Sequence, residues 1–387
     1  MELTQLLKLM TEKKASDLFI SAGYAPSIKI DGKIVVAAPD KLTPEQAKDV
    51  IIGLLGPDQR AMLDTTGESN FAFNAPDIGR FRVNAHKHQN QLGMVIRRVE
   101  GRVPSMKELL LPSALGEIAM LRQGLVLLTG STGAGKSTSL AAMADYRNQN
   151  SNGHIVCIED PIEFVHRPVG CIITQREVGL DTDSFEAGLR NALRQAPDMI
   201  VIGEIRTREA MSHAMQFAET GHLCLATIHA SNANQVLDRV LGFFPEDRHT
   251  QVLMDLSLNL KAVIAQRLLP AASGKGGRVA VELLMNTPLV AAHIRKGEIH
   301  LIREVMRKGD GVGMQTFDKA LFELYQAGEI TYDDAIRNAD SANELRLMVK
   351  LGRTHVADQH GGSLEGASLV EPKKLDPVGL GVAPGKR

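Results

Sequence analysis

Residues Gly130–Ser137 read GSTGAGKS and follow the apolar run Leu125–Thr129. The spacing G-x-x-x-x-G-K-S, between a strand and a helix-compatible stretch (Thr138–Tyr146), is that of a phosphate-binding loop. Phosphate oxygens need several inward-pointing backbone N–H groups, and glycine lets the main chain wrap that closely. Ser131, Thr132, Gly133, Ala134, Gly135 and Thr138 are therefore assigned to the nucleotide. Lys136 reaches the β- and γ-phosphates, and the Ser137 hydroxyl is placed to ligate Mg2+. The helix that follows turns its positive end toward the same anion. The expected ligands are ATP and Mg2+.

Later strands bring acids and histidines to the same edge, because ligands of an open parallel sheet lie beyond the carboxyl ends of its strands. Ile155–Ile158 delivers Glu159, Asp160 and, slightly further on, Glu163. Met199–Ile202 delivers Gly203, Glu204 and Arg206. Cys224–Ile228 delivers His229, with His222 just before the strand. Glu204 follows its strand as a Walker B acid does and can hold the metal. Glu163 can orient or deprotonate the attacking water. His229 can sense the γ-phosphate.

The elements that must position these groups fall into sections. Residues 1–100 read as a small α+β unit. A helix (Leu3–Lys13) precedes a strand (Asp17–Ser21), and a hairpin turns at Asp31–Gly32. Thr43-Pro44 opens a second helix. Strands follow at Asn70–Asn74, Gly79–His86 and Met94–Val99. Residues 101–112 read as a linker. Residues 113–355 alternate buried-type strands with helical stretches, which predicts βαβ units around a mostly parallel sheet. Their later portion, from Gln251 into the 340s, reads as largely helical. Residues 356–387 are rich in Gly, Pro and Ser without periodicity and read as a disordered tail.

Composition removes several alternatives. The 387 residues suit two domains. A net charge of −1 and 4% aromatics argue against a nucleic-acid translocase, which needs basic tracks and stacking platforms. The three cysteines are widely spaced and form no C-x-x-C pair, so neither a zinc site nor a disulfide framework is expected. No signal peptide is evident in the first residues, and no apolar run reaches membrane-spanning length. These features predict a cytoplasmic protein.

The motifs together carry a resemblance. GSTGAGKST, IVCIEDPIEFVH (Ile155–His166), QREVG (Gln175–Gly179), APDMIVIGEIR (Ala196–Arg206) and TGHLCLATIHA (Thr220–Ala230) resemble the Walker A, Asp box, Walker B and His box of the secretion-superfamily ATPases. Within these the chain is similar to the type IV pilus retraction ATPases, the PilT/PilU family. The resemblance implies a PAS-like N-terminal domain, a RecA-like ATPase domain with C-terminal helices, and a homohexameric ring. It implies that Glu163 is the catalytic glutamate, Glu204 the Walker B acid, and His222 and His229 the His-box histidines. It also implies that Arg80, Arg82 and Arg97, with Arg98 beside them, contact phosphates. Two departures, GEIRTREAM after Walker B and LVAAHIRKGEIHLI (Leu289–Ile302) in place of AIRNLIRE, point to the accessory PilU-like branch. That branch implies a PilT-like motor and an inner-membrane platform protein as partners, peripheral attachment at the inner membrane face, and a role in twitching motility. A weakly hydrolysing regulatory ring component is the other reading.

Overall fold

The computed structural model describes residues 2–30, 32–309 and 313–359. Among them the strands form two sheets, and the architecture is mixed α/β as expected. The first sheet contains β1 (Asp17–Ser21), β2 (Ser27–Ile30), β3 (Lys33–Val36), β4 (Glu68–Ala75), β5 (Gly79–His88) and β6 (Gln91–Arg98). Their order is β3-β2-β1-β6-β5-β4, antiparallel at every pairing. In β5 the buried residues Phe81, Val83 and Ala85 alternate with more exposed neighbours, as the two-residue period of a strand requires. They share a core with Leu6, Leu7 and Met10 of the helix Leu3–Glu12, with Ile51 of the helix Pro44–Leu54, and with Leu63 of the helix Pro57–Thr66. Thr43 and Gln46 cap the second of these helices reciprocally, at 3.2 and 2.9 Å. Gly32 lies between β2 and β3, where the hairpin turn is expected; Asp31 lies outside the described residues.

The second sheet contains β7 (Gly124–Gly130), β8 (Gly153–Glu159), β9 (Cys171–Glu177), β10 (Met199–Ile202), β11 (Leu223–Ile228), β12 (Leu260–Pro270) and β13 (Gly277–Met285). Their order is β13-β12-β7-β11-β10-β8-β9, and only the β12–β13 pairing is antiparallel. β7 is buried at every position, as a central strand covered on both faces must be. Leu125 and Leu127 join a core with Met211 and Phe217 on one face. Val126 and Leu128 join Leu140 and Met143 of the helix Lys136–Asn150 on the other.

The region after Gln251 is largely helical as expected, but it also holds β12 and β13, two strands that the sequence reading misses. The run Leu260–Pro270 mixes helix formers (Leu, Ala, Gln, Arg) with Val263 and Ile264, so local propensity does not decide it. Burial does: Ala262 to Ala265 are inaccessible beside β7, and pairing with the sheet overrides propensity. The helices Pro288–Lys296, Ile299–Lys308, Phe317–Gln326, Tyr332–Asn338 and Ala342–Gln359 follow. Asp340 ties several of them together. It takes Arg267 of β12 at 2.6 Å and Arg303 at 3.0 Å, and its own N–H donates to Asp318 at 2.7 Å. Residues 356–359 of the expected tail lie within the last helix, and the rest of the tail lies outside the described residues.

Candidate nucleotide site

The loop after β7 wraps as the sequence requires. Gly133 and Gly135 hold φ of +80° and +90°, where a side chain is strained. At Gly130 the obstacle is contact: a Cβ would lie 2.5 Å from the carbonyl oxygen of Gln266 in β12. Lys136 begins the helix Lys136–Asn150, and its Nζ donates to Gly130 O at 2.9 Å and Ser131 O at 3.0 Å. The lysine is buried, and burial pulls its pKa below the ordinary value. The negative charges of Glu204 and Glu163 act in the opposite direction. Both carboxylates therefore act on the same ammonium.

Lys136, Ser137, Thr132 and Gly133 share a cleft of about 370 Å3 with Glu159, Glu163, His166, Glu204, Arg206 and His229. Thr227 of β11 fixes the backbone on both sides of Glu204: its hydroxyl donates to Gly203 O, and its carbonyl accepts from Ile205 N–H at 2.8 Å. His229 Nε2 stands 2.7 Å from Glu204 Oε1, and Arg206 Nη2 stands 2.7 Å from Glu204 Oε2. Thr129 of β7 exchanges two 2.8 Å hydrogen bonds with the backbone of Ala230, which ties the phosphate loop to the segment carrying His229. Glu163 is exposed on the loop between β8 and β9. Glu159, at the end of β8, is pushed up to about 7, mainly by burial.

The structure thus brings Lys136, Ser137, Glu163, Glu204 and His229 together. His222 stands apart, at the opposite end of β11, roughly 20 Å along a six-residue strand. Its Nδ1 lies 3.1 Å from Thr220 Oγ1. The arginines of the first sheet are also outside this cleft. Arg82 Nε lies 2.9 Å from Glu177 Oε1 of β9, and Arg80 is 3.7 Å from the same carboxylate. Arg97 takes Asp17 at 2.8 Å, and Arg98 pairs with Glu100. Arg82, Arg97, Asp17 and Glu177 line a separate cleft of about 330 Å3.

Several residues at the site have no role assigned from the sequence. His166 lines the cleft and lies near Asp145 of the phosphate-loop helix, which holds that carboxyl below its usual range. A third cleft, of about 170 Å3, adjoins Gly135, Thr138 and Ser139. It is lined by Leu109, Leu110, Leu268, Arg278 and Val279, from the segment before β7 and from β12 and β13.

The family described as "Type II/IV secretion system protein" matches residues 104–338. The type IV pilus ATPase PilU of Pseudomonas aeruginosa is 56% identical over 379 residues, covering 98% of this chain and 99% of that one. The type IV pilus retraction ATPase PilT of the same organism is 39% identical over 340 residues, covering 88% and 98%. The crystal structure of the pilus retraction motor PilT with bound ADP superimposes with a TM-score of 0.82 at 36% identity, over 89% of this chain and 99% of that one. The ATPase DotB of Legionella pneumophila shares the fold, with a TM-score of 0.74 at 24% identity over 86% of this chain and 93% of that one. The chain belongs to the type II/IV secretion system protein family, among its type IV pilus ATPases.

Proposed function

We propose that this ATPase is a motor subunit that binds ATP with Mg2+, works as a homohexameric ring and assists pilus retraction and twitching motility in the manner of PilU. The observation that carries the reading is the convergence of Lys136, Glu163, Glu204 and His229 on one cleft at the phosphate loop. Lys136 offsets the charge of the β- and γ-phosphates. Glu163 makes no ion pair among the described residues and sits at the cleft, as a base for water must. His229, which touches Glu204, is placed to report on the γ-phosphate side of the cleft. The Ser137 hydroxyl and the Glu204 carboxylate are hard oxygen donors lining the same cleft, a donor set that suits Mg2+. Bound there, the ion would neutralise charge on the phosphates. The apolar walls Leu110, Leu268 and Val279 of the small cleft beside Gly135 and Thr138 support placing the nucleoside on that side of the loop.

The domain reading is residues 1–100, a linker at 101–112 and residues 113–355, supported by two sheets with separate cores. An antiparallel sheet with helices over one core supports a PAS-like N-terminal unit; a central parallel sheet with a phosphate loop supports a RecA-like one. Arg82 and Arg97 act on ATP held by another subunit, once released from Glu177 and Asp17. Partners are further copies of this chain, a PilT-like motor and a platform protein at the inner membrane face. No helix among the described residues is long and apolar enough to cross a membrane, so attachment there is assigned to partners. The C-terminal helices offer the coupling surface. In the Leu289–Ile302 stretch and just after it, Glu298 pairs with His293 and Arg303 with Asp340, leaving Arg295 and Lys296 exposed.

The test is ATP turnover of the purified protein, alone and with a PilT-like motor, beside pilus retraction in cells lacking that motor. Turnover without independent retraction is expected. Retraction by this protein alone would overturn the accessory role, and no turnover in either mixture would overturn the motor.

A further inference from the structure

The segment from Asp160 to His166 leaves the end of β8 outside any helix or strand and carries Glu163 exposed between the buried Ile162 and His166. It belongs to no helix or strand ladder that would fix its geometry. One side chain on the neighbouring strand does so from both ends. Gln175 of β9 donates from Nε2 to Glu159 Oε1 at 2.9 Å, just before the segment. The same Nε2 donates to Phe164 O at 2.9 Å, the carbonyl next after Glu163. Its Oε1 accepts from His166 N–H at 3.0 Å. Both ends of a primary amide are thus used, and the three contacts bracket Glu163 in sequence. Gln175 is itself fixed, because β9 pairs with β8 in parallel register and places Gln175 opposite Cys157. Two further tethers come from elsewhere: Val165 N–H donates to Glu100 O at 3.0 Å, and Ile162 N–H donates to Glu177 Oε2 at 3.5 Å.

We propose that Gln175 is a positioning residue for Glu163. It does not touch the nucleotide; it sets where the Glu163 carboxylate stands relative to the phosphate loop. A base must lie within hydrogen-bond reach of the water it activates, and a displacement of about 1 Å can lower a rate by about 10²-fold. An amide is suited to the task because it donates to one carbonyl and one carboxylate while accepting from an N–H. No apolar or acidic side chain of the same size satisfies all three partners. The inference rests on Glu163 being the group that acts on water.

The test is a double-mutant cycle on the full chain with Gln175→Leu and Glu163→Gln, reading kcat and, separately, equilibrium binding of a non-hydrolysable ATP analogue. Gln175→Leu should lower kcat about 10- to 100-fold and leave analogue affinity within about threefold of wild type. In the Glu163→Gln background the same change should have almost no further effect on the residual single-turnover rate. Gln175→Glu keeps the shape and the acceptor for His166 N–H but loses both donations, and should show the same selective loss of kcat. It decides the matter if the leucine variant does not fold. Wild-type kcat in these variants, or an equal loss with and without Glu163, overturns the inference. Normal turnover in Glu163→Gln alone overturns the assignment of Glu163 itself, and the role of Gln175 with it. A silent Gln175→Leu beside an inactive Glu163→Gln removes only the role of Gln175.

Discussion

His229 and Glu204 face each other at 2.7 Å across the ends of β11 and β10, with Arg206 at 2.7 Å on the other carboxylate oxygen. The acid is held by two cations or donors at once, so its orientation depends on both neighbours. His229→Ala should therefore lower kcat about tenfold or more while ATP affinity changes little, because the carboxylate stays but is free to turn. Steady-state turnover beside equilibrium nucleotide binding checks this. A loss confined to affinity would place His229 in binding rather than in orientation.

Lys136→Ala should lower turnover by about 10²–10³, the range for removing one preorganised charge from a transition state, and should also weaken ATP binding. Activity within threefold of wild type would remove the phosphate-loop assignment.

Glu163→Gln should keep ATP bound and slow its hydrolysis by about 10²–10⁴, since the amide preserves shape and loses the base. Bound nucleotide recovered after rapid gel filtration should be mostly ATP. If Glu204→Gln traps ATP and Glu163→Gln turns over normally, the two carboxylates have exchanged roles.

Specific ATPase activity should rise with protein concentration, because Arg82 and Arg97 are proposed to act on nucleotide held by a neighbouring subunit. Mixing inactive Lys136→Ala with inactive Arg82→Ala should restore part of the activity, as each supplies what the other lacks. Full activity in a species shown by light scattering to be monomeric would overturn this.

Glu282 of β13 gives a prediction about stability. Its buried carboxylate accepts from Ala233 N–H at 2.8 Å, and burial pushes its pKa up to about 7. The folded protein holds this proton at a pH where the unfolded chain, with an ordinary value of 4.5, has released it. The associated stability is complete below about pH 4.5 and is lost as pH rises through about 7. The loss is on the order of 3 kcal/mol, at roughly 1.4 kcal/mol per pKa unit. Glu282→Gln keeps an oxygen for Ala233 and cannot ionise. Its Tm should match or trail wild type at pH 5 and exceed it at pH 8. An equal difference at both pH values would contradict the assignment.

Much of the site is legible in the sequence where one backbone run fixes several groups at once. Gly130, Gly133, Gly135, Lys136 and Ser137 lie within eight residues, so their relative placement follows from local geometry. Glu204 and His229 were readable because each ends a short apolar strand, and parallel strands in one sheet end at one edge. Gln175 and Thr227 were not readable as supports, since their roles depend on which strands lie side by side. That order, β7-β11-β10-β8-β9, leaves no local trace. β12 is illegible for a related reason, because its identity comes from lying against β7 and not from its own residues. The arginines of β5 and β6 were located by resemblance, and their pairing with Glu177 and Asp17 requires both sheets in three dimensions.

Gly130 lies against the carbonyl of Gln266, whose side chain in turn donates to Ser139 at 2.6 Å. One strand thus braces both the loop at Gly130 and the helix Lys136–Asn150. The same strand carries Arg267, which holds Asp340 and stacks 3.8 Å from the Phe317 ring centre. In mechanical terms β12 is a tie-bar, fastened at one point to the loop at Gly130 and at another to the outer helices. A displacement at either fastening must be taken up by the other, because a close-packed interior has little slack to absorb it.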